Sequence, residues 1–558
     1  MNSFVQYLDQ FNVLSPSHAK IYDEYTQSTD QYRFAIDTNI ERFLLNLFEE
    51  APRSVIMTGN AGDGKTRLCR TVYERITGES LQQWPTSGIV EISFSKGTLR
   101  IVKDLSELTD AVIFEELQCL QDAIFQNHSN RHFYLIAANE GKLTKFLSQH
   151  LSLQPLSQMV KERFLDHTFN DLQLHLVNLQ DVTSSIYASR ILDQWNREEN
   201  WVDCETCIKK TNCVIWLNHR RMSQPMIQDR LVEQYRLLDC LGIHVTMREI
   251  LIHISYVMTG GLTCERVINA GYKDIEEHAS HVYYENFYGV HMTSGGAGEQ
   301  GAIRHFRQLD PGKLSISSID DYLLNGDISG DAEMVRKHQA LFNDEIDLLF
   351  GYYRKLIEIY RIQNPDKDSM TSIFDQMPKF RRKYFFETDN RDDSTRKKLI
   401  PYLHFNRFLD SLKDRQALAS VRKELIQGLN HNFSKKLISR GESNLFVVNE
   451  NLLIHQSFAA GHVKLSIDQE RSDIDYLPSK LFITVNQETK LEIKLPVFEY
   501  LLRLAGGGLF IALRQEVDIL LGTFKNDLIN RSDLDEFSLQ VFAIDPDKGV
   551  YKPYEIDI

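Results

Sequence analysis

Apolar and polar positions alternate along the first two hundred residues in a pattern that predicts a sheet with helices between its strands. Five apolar runs have the length and composition of strands, namely Val55–Met57, Gly88–Phe94, Thr98–Val102, His132–Ala138 and Leu172–Asn178. The Lys96-Gly97 turn joins the second run to the third. Apolar residues at helical spacing predict amphipathic helices over 39–49 and 153–165. We therefore expect an α/β core in this part of the chain.

The first strand runs into a glycine-rich loop that reads SVIMTGNAGDGKT over 54–66. It fits the template G-x-x-x-x-G-K-[ST], with a strand-like run before it and a helix-like run after it. Glycines allow the main chain to close on a ligand, so that successive N–H groups and the helix N-terminus point at phosphate oxygens. The residues predicted to bind ATP are Gly59, Asn60, Ala61, Gly62, Asp63, Gly64, Lys65, Thr66 and Arg67. Lys65 is expected to reach the β- and γ-phosphates, and the Thr66 hydroxyl to bind Mg²⁺.

Candidate catalytic residues follow two of the later strands. Asp104 comes after the third strand, where a phosphate-loop enzyme places its second Mg²⁺ carboxylate, and Glu107 is the nearest acidic residue that could orient water. Asn139 follows the fourth strand, where AAA+-type ATPases keep a polar sensor residue. The rival carboxylates Glu115 and Glu116 lie in a run with helical spacing, which favours Asp104 and makes both of them solvated helix residues.

Four cysteines form a second candidate site. Cys204, Cys207 and Cys213 lie within ten residues of one another, and thiolates at such spacing select Zn²⁺ or an iron-sulfur cluster. A closed tetrahedral site needs a fourth ligand, and Cys264 is favoured over His219 and Cys240 because a Gly-Gly turn precedes it. We expect this site to bind zinc, with an iron-sulfur cluster as the alternative. The remaining possibility is that the three cysteines are ordinary core residues that bind no ion.

The rest of the chain predicts helices and then a mixed domain. A helix headed by Thr246–Glu249 resembles the lid of an ATPase core, where Arg248 could contact the γ-phosphate, and Arg163 is a candidate to reach a neighbouring subunit's nucleotide. Basic and aromatic residues interleave over 379–398, a composition that suits nucleic-acid contacts and an ordinary interface equally well. Alternating runs after 441 predict an α+β interaction domain.

Composition and charge limit the functions and locations that are consistent with these motifs. The chain has 558 residues and a formal charge of −14, which argues against a pervasive basic surface that coats nucleic acid but allows a local patch. We expect a cytoplasmic protein without membrane contact on three grounds. The chain has seven cysteines, it starts without a secretory pattern, and it has no run of roughly 20 apolar residues. The predicted divisions are an N-terminal segment 1–33, a nucleotide core 34–200, a cysteine and lid region 201–350, a basic and aromatic region 351–440 and a C-terminal domain 441–558.

Together these motifs predict an α/β P-loop NTPase with an AAA+-like parallel sheet core, a helical cysteine and lid region, and a C-terminal α+β domain. The loop with its NAGDGKT core, the IAANEG segment ending at Gly141 and the WxxCxxCx5C cluster beginning at Trp201 resemble one family. That family is DptF, the ATP-binding component of DNA phosphorothioation-dependent restriction systems. The resemblance implies a bacterial cytosolic protein that acts with two partners, DptG and DptH, against DNA that lacks the sulfur modification.

Three functions are consistent with the sequence. The first is an ATP-dependent component of a restriction complex, touching DNA directly or through the complex, because no residue constellation that would cut phosphodiesters is evident. The second is an AAA+-like regulatory ATPase that acts on a protein partner without DNA contact. The third is a scaffold with a vestigial nucleotide site. The sequence leaves homo-oligomerisation open.

Overall fold

The structure is a computed structural model that describes residues 1–13, 36–125, 131–170, 173–292, 301–342, 357–362, 367–449, 451–508, 515–530 and 538–557. The chain forms two compact units. The first comprises Met1–Arg236, His244–Ile400 and Arg471–Tyr476, and the second comprises Leu237–Ile243, Pro401–Glu470 and Leu477–Ile558. The predicted C-terminal domain began at 441, whereas the second unit takes in the chain from Pro401 onward apart from Arg471–Tyr476.

The first unit contains a five-stranded mixed sheet in the order β2-β3-β4-β1-β5. Its strands are β1 (Ser54–Thr58), β2 (Ile89–Phe94), β3 (Gly97–Val102), β4 (His132–Ala138) and β5 (Leu174–Asn178). β1, β3, β4 and β5 run parallel, and β2 pairs with β3 as an antiparallel hairpin. All five strands were predicted, and no bound differs from the structure by more than two residues.

The centre of the sheet is formed by β1 and β4. Ile56 pairs with Ile136 on one side and with Leu176 on the other, and all three residues are buried. Strands covered on both faces read as continuous apolar runs, which is why these two were visible in the sequence. The parallel strands end at one edge of the sheet, so the residues that follow β1, β3, β4 and β5 lie along that edge.

Helices cover this sheet and build the remainder of the first unit. They are α1 (Ser3–Asp9), α2 (Asn39–Glu50), α3 (Lys65–Thr77), α4 (Asp110–Phe125), α5 (Glu140–Gln149), α6 (Gln154–Leu165), α7 (Ser184–Trp195), α8 (Val202–Glu205), α9 (Val214–Met222), α10 (Pro225–Leu241), α11 (Met247–Thr259), α12 (Cys264–Asn269), α13 (Tyr272–Ala279), α14 (Tyr283–Asn286), α15 (Gly301–Phe306), α16 (Ser317–Asn325), α17 (Ala332–Phe342), α18 (Lys367–Glu387) and α19 (Asp393–Arg396). The last five residues of α10 belong to the second unit. A mixed sheet with helices of this extent is an α/β fold.

The second unit combines helices with two antiparallel sheets, as an α+β domain does. Its other helices are α20 (Phe405–Lys413), α21 (Arg415–Ser434), α22 (Leu495–Ala505) and α23 (Gln515–Asn530). One sheet has the order β10-β9-β8 and the other the order β12-β11-β7-β6. Their strands are β6 (Leu445–Val448), β7 (Leu453–Phe458), β8 (Val463–Ile467), β9 (Leu481–Val485), β10 (Thr489–Ile493), β11 (Ser538–Asp545) and β12 (Val550–Asp557). In the part of the chain that the structure describes, no helix combines the length and the apolar character needed to cross a membrane.

Candidate functional site

The glycine-rich loop, residues Gly59–Thr66, connects β1 to α3 at the edge where the parallel strands end. Gly62 and Gly64 have φ values of 102° and 87°, which residues that carry a Cβ rarely adopt. Gly64 caps α3 without a side-chain acceptor, so no side chain of the cap covers the first N–H groups of this helix. A helix end of this kind attracts anions.

Lys65 lies in the loop with only 8% of its surface exposed. Its Nζ donates hydrogen bonds to the carbonyl oxygens of Gly59 and Asn60, at 2.9 and 2.8 Å. Burial lowers the pKa of Lys65, while the carboxylates of Asp63 and Asp104 oppose that shift. The ammonium group is therefore held by two carbonyl groups of the loop, within electrostatic range of Asp104.

The carboxylate of Asp63 holds the loop backbone in place. One carboxylate oxygen, Oδ2, accepts the backbone N–H of Asn60 at 2.6 Å, and the other, Oδ1, lies 2.8 Å from His244 Nε2. The Asp63 side chain is 3% exposed. The sequence predicted Asp63 as a nucleotide contact. In the structure its carboxylate instead contacts the loop backbone and His244.

The start of α11 lies directly against the loop. The Arg248 N–H donates to the carbonyl oxygen of Gly62 at 3.2 Å, and a Cβ at Gly62 would lie 3.1 Å from Cβ of Arg248. Thr246 and Glu249 form a reciprocal capping box that fixes this helix end. The Arg248 guanidinium is close enough to Lys65 to lower its pKa further. The predicted helix thus exists and reaches the loop, and its role as a lid stays a prediction.

The remaining loop residues differ in exposure. Asn60 is exposed, and its Oδ1 accepts a long hydrogen bond of 3.4 Å from Gln180, which follows β5. Ala61 is exposed, Thr66 is half-buried, and Gly59 is buried. Arg67 is paired with Glu41 of α2 at 3.3 Å, which directs its guanidinium to a neighbouring helix.

Asp104 and Glu107 occupy a short turn after β3. Oδ1 of Asp104 accepts the N–H of Ser106 at 2.7 Å, and the carboxylate acts electrostatically on Lys65. Glu107 forms an ion pair of 2.8 Å with Lys103, and its side chain is 54% exposed. The two acidic residues therefore have different surroundings: Asp104 acts on the loop lysine, whereas Glu107 is bound at the surface.

Asn139 caps α5 at the end of β4, between β1 and β3 in the strand order. Its Oδ1 accepts the N–H of Lys142 at 3.2 Å, and Nζ of Lys142 donates to the Ser106 carbonyl at 2.8 Å. The turns after β3 and β4 are thereby tied together. The sheet brings the loop, Asp104 and Asn139 to one edge.

Three sequence-based expectations need correction. Glu116 is not solvated: it is 3% exposed and forms a two-bond ion pair with Arg100 of β3, at 2.7 and 2.6 Å, whereas Glu115 is exposed as expected. Arg163 is 5% exposed and donates to the carbonyl oxygens of Leu174 and Met159, so it braces α6 against β5 within its own chain.

The third correction concerns the basic and aromatic segment 379–398. Its aromatic residues Phe380, Tyr384, Phe385 and Phe386 belong to the core. Arg382 pairs with Asp310 and Glu285, Arg381 pairs with Asp320, and Lys383 pairs with Glu387. Arg396 is buried against Phe385 and Glu233. These side chains stabilise the helical region and are not displayed for stacking on bases.

Three of the four candidate cysteines are close in sequence, and the fourth, Cys264, comes from a later part of the chain but interacts electrostatically with Cys204. We call Cys204, Cys207, Cys213 and Cys264 the cysteine cluster. The pKa of Cys204 is raised to about 12, mainly by burial, against a hydrogen bond from Asn2 and with smaller contributions from the other three thiols. All four are free thiols. Within the described ranges, no three His, Cys, Asp or Glu side chains are placed closely enough to hold a metal ion as they stand.

The other two candidate fourth ligands are otherwise engaged. The His219 ring stacks on Trp201 with centroids 4.2 Å apart, its Nδ1 lies 3.2 Å from Oδ1 of Asn196, and burial lowers its pKa to about 4. Cys240 is fully buried on α10. Cys264 is the candidate that acts on Cys204 and Cys213.

Two residues of these sites gave no signal in the sequence. His244 is separated from Asp63 by 181 positions, and Asn2 is separated from Cys204 by 202 positions. Neither belongs to a motif, and the N-terminal segment had no predicted role. Comparison with protein-family models, with curated proteins and with solved structures finds no match to the chain, so the geometry of the site itself carries the functional argument.

Proposed function

We propose that this protein is a P-loop NTPase of AAA+-like architecture that binds ATP and Mg²⁺ at the glycine-rich loop. The supporting observation is the shared sheet edge, where the loop, Asp104 and Asn139 follow parallel strands in the order β3-β4-β1. The strand that precedes Asn139 lies between the loop strand and the strand that precedes Asp104. Binding of ATP with Mg²⁺ needs this arrangement. The loop holds the phosphates, the carboxylate holds the metal, and the amide lies between them.

In this proposal each residue has one task. The N–H groups of the loop and of α3 bind phosphate oxygens, and Lys65 exchanges its bonds to Gly59 and Asn60 for bonds to the β- and γ-phosphates. Thr66 and Asp104 would hold Mg²⁺, which neutralises charge that develops on the transferred phosphoryl group. Asn139 would orient the attacking water. Arg248 would contact the γ-phosphate, since its helix end already touches Gly62.

Hydrolysis depends on a carboxylate that activates water. Glu107 is the candidate, and it would have to leave Lys103 to serve. Because no acidic residue directly follows Asp104, we expect a slow intrinsic rate, so nucleotide binding rather than rapid turnover would be the signal that this protein transmits.

The cellular role that we propose is the ATP-binding component of a bacterial DNA phosphorothioation-dependent restriction complex, acting with DptG and DptH. It rests on the resemblance of the three motifs to DptF. The use of ATP would be to assemble or switch the complex on unmodified DNA, with a partner cutting the phosphodiester. The location implied is the bacterial cytoplasm.

One observation favours a second candidate, a regulatory ATPase that acts on a protein partner without touching DNA. The basic residues most suited to phosphate contacts, Arg381, Arg382, Lys383 and Arg396, are paired inside the first unit. Together with the charge of −14, this pairing favours DNA contact through partners over direct contact.

Two experiments separate these roles. Cells that carry the complete system with Lys65→Ala should lose restriction of unmodified plasmid DNA, while Lys145→Ala, which changes an exposed lysine of α5, should restrict normally. Full restriction with Lys65→Ala would refute the ATP-dependent role. Titration of the purified protein with duplex DNA at two salt concentrations then tests contact. Binding with a steep salt dependence would support direct contact, whereas no binding by the purified protein would exclude direct contact, and no binding even with the partners added would support the second candidate.

A further inference from the structure

The first turn of α5 carries two charged side chains that have no task in the proposed function. These are Glu140 and Lys142, and they follow Asn139, which comes after β4 and caps the helix. In the sheet, β4 separates β3, which leads to Asp104, from β1, which leads to the glycine-rich loop. The start of α5 is therefore placed to connect the predicted metal ligand with the loop.

Lys142 holds the turn that carries Asp104. Its Nζ donates to the Ser106 carbonyl at 2.8 Å, and the N–H of the same serine donates to Oδ1 of Asp104 at 2.7 Å. Hydrogen bonds from a charged donor are stronger than those between neutral groups. The Lys142 side chain is half-buried. Its ammonium group therefore fixes the residue that in turn orients the Asp104 carboxylate.

The hydroxyl of Ser106 is a buried polar group in the same turn. Among the residues that the structure describes, its oxygen has no hydrogen-bond partner. Because an unpaired buried hydroxyl costs free energy, such a group indicates a place where a water or an ion supplies the partner. Mg²⁺ keeps several of its waters when carboxylates bind it. A water held by Mg²⁺ at Asp104 would be a donor of the kind that Ser106 lacks, so the residues of this turn fit the metal.

On the other side, Glu140 links the start of α5 to the glycine-rich loop. Its Oε2 accepts a hydrogen bond from Nδ2 of Asn178, the last residue of β5, at 3.2 Å. Asn178 pairs with Thr58, the last residue of β1. Its Oδ1 accepts the Gln180 N–H at 3.1 Å, and Nε2 of Gln180 donates to Oδ1 of Asn60 in the loop at 3.4 Å. The first turn of α5 is thus bonded toward the loop as well as toward the Asp104 turn.

We infer that Lys142 is a positioning residue for Mg²⁺, which holds Asp104 in place relative to the glycine-rich loop, and that the Ser106 hydroxyl accepts a hydrogen bond from a water of the metal's shell. This inference rests on the proposed binding of MgATP at the loop. Mg²⁺ demands near-ideal octahedral geometry, so a displaced carboxylate weakens the binding of the metal. The N–H groups of the loop bind phosphate with or without the metal. Loss of Lys142 should therefore affect MgATP far more than metal-free ATP.

The sign of the effect separates positioning from simple charge. A lysine that acted through its charge alone would repel a nearby cation, so its removal would strengthen the binding of Mg²⁺. A lysine that positions Asp104 has the opposite effect, because without it the carboxylate is no longer held at the metal. Lys142→Met keeps the aliphatic stem and removes the donor, which makes it the informative variant.

The first test measures the affinity of the full-length protein for a fluorescent ATP analogue, once with Mg²⁺ and once in excess EDTA. We expect Lys142→Met to bind the Mg²⁺ complex roughly ten times more weakly, at the lower end of the range for loss of a group that supports a metal ligand. Its affinity in EDTA should equal that of the wild type. Lys142→Arg, which keeps a charged donor, should restore binding of the Mg²⁺ complex. Lys145→Met, which changes an exposed lysine of the same helix, should behave as the wild type.

The outcomes of this test are distinguishable. Unchanged or tighter binding of the Mg²⁺ complex by Lys142→Met would overturn the inference and leave the nucleotide site intact. Equal losses with Mg²⁺ and in EDTA, or no rescue by Lys142→Arg, would also overturn it, because Lys142 would then support the fold and not the metal ligand. A wild-type protein that binds neither form would refute the nucleotide site itself.

The second test isolates the Ser106 hydroxyl. Ser106→Ala removes this oxygen and keeps the backbone groups that contact Asp104 and Lys142. Because the oxygen is unpaired in the described structure, its removal should leave the melting temperature unchanged or raise it. Affinity for the Mg²⁺ complex should fall roughly three- to tenfold, as for the loss of one hydrogen bond, with no change in EDTA. Ser148→Ala, at an exposed position of α5, is the control. Wild-type affinity of Ser106→Ala for the Mg²⁺ complex would remove the hydroxyl from the metal site.

Discussion

Nε2 of His244 lies 2.8 Å from Oδ1 of Asp63, which joins the glycine-rich loop to the segment that leads into α11. The second oxygen of the same carboxylate accepts the N–H of Asn60. One buried carboxylate therefore sets the loop conformation and connects it to the helix that carries Arg248. A change in the loop on nucleotide binding would be passed to α11 through this link.

Replacement of His244 by alanine should weaken ATP binding. The Asp63 carboxylate would lose a hydrogen bond of the charged kind, worth about 1.5–3 kcal/mol, and would hold the loop less firmly. We expect the dissociation constant for MgATP to rise roughly tenfold, measured by fluorescence with a labelled ATP analogue.

The control is His132→Ala. His132 is exposed at the opposite, amino-terminal end of β4, so it shares the sheet but not the loop. If both variants bind MgATP as the wild type does, the link between Asp63 and His244 does not support the loop.

Replacement of Gly62 by alanine should damage the same region sterically. The residue has a φ of 102°, and an added Cβ would meet Cβ of Arg248 at 3.1 Å and Oγ1 of Thr246 at 3.2 Å. The combined strain is about 1–3 kcal/mol, which should lower both the melting temperature and the MgATP affinity. Gly461→Ala is the matched control, because that position has open space around it. Equal behaviour of the two variants would show that α11 does not constrain the loop.

The sequence predicted those features of the fold and the site that a contiguous stretch of residues encodes. β4 was predicted with its observed bounds because a run of seven apolar or aromatic residues ends abruptly at Asn139, and the loop was found because its template is contiguous. Long-range pairings were out of reach. Glu116 has the spacing of a surface helix residue, but Arg100 on β3 pairs with it and buries it. The same limit hid His244 and Asn2, and it made the core cations of 379–398 resemble a nucleic-acid surface.

Replacement of Arg382 by alanine should destabilise the first unit. Its guanidinium donates to Asp310 at 2.8 and 2.7 Å and to Glu285 at 2.9 Å, and all three side chains are less than one-tenth exposed. Loss of the cation leaves two buried carboxylates without it, at a cost of about 3–5 kcal/mol in the free energy of unfolding. Urea denaturation measures this directly.

The comparison is Arg391→Ala, whose side chain is 70% exposed and should change the free energy by less than about 0.5 kcal/mol. Unaltered stability of the Arg382 variant, or loss of DNA binding without loss of stability, would mean that this segment contacts nucleic acid after all.

Stability should fall as the solution becomes acidic, beginning below pH 6.5. Burial lowers the pKa of His253 to about 4, and those of His219 and His281 also to about 4. Between that value and about 6.5, the unfolded chain binds more protons than the folded one, so the free energy of unfolding rises with pH throughout this window. Each histidine contributes a slope of up to about 1.4 kcal/mol per pH unit.

His253→Gln should reduce that slope by the share of one histidine. The residue is fully buried, with Tyr235 OH 2.6 Å from Nδ1 and the Phe287 carbonyl 2.9 Å from Nε2, and glutamine can replace these contacts without titrating. Urea denaturation between pH 4.5 and 7.5 provides the measurement. An undiminished slope in this variant would assign the acid sensitivity to other groups.

The most direct measurement of the central claim is calorimetric titration of the purified full-length protein with MgATP, comparing the wild type with Lys65→Ala and Lys145→Ala. Lys65 is buried in the loop and bonded to its carbonyl groups, whereas Lys145 is exposed on α5. We predict one binding site in the wild type and in Lys145→Ala, and at least about a hundredfold loss of affinity in Lys65→Ala, since an ion-paired hydrogen bond is lost in a buried site. No binding of MgATP by the wild type, or equal binding by Lys65→Ala, would contradict the assignment of the glycine-rich loop as a nucleotide site.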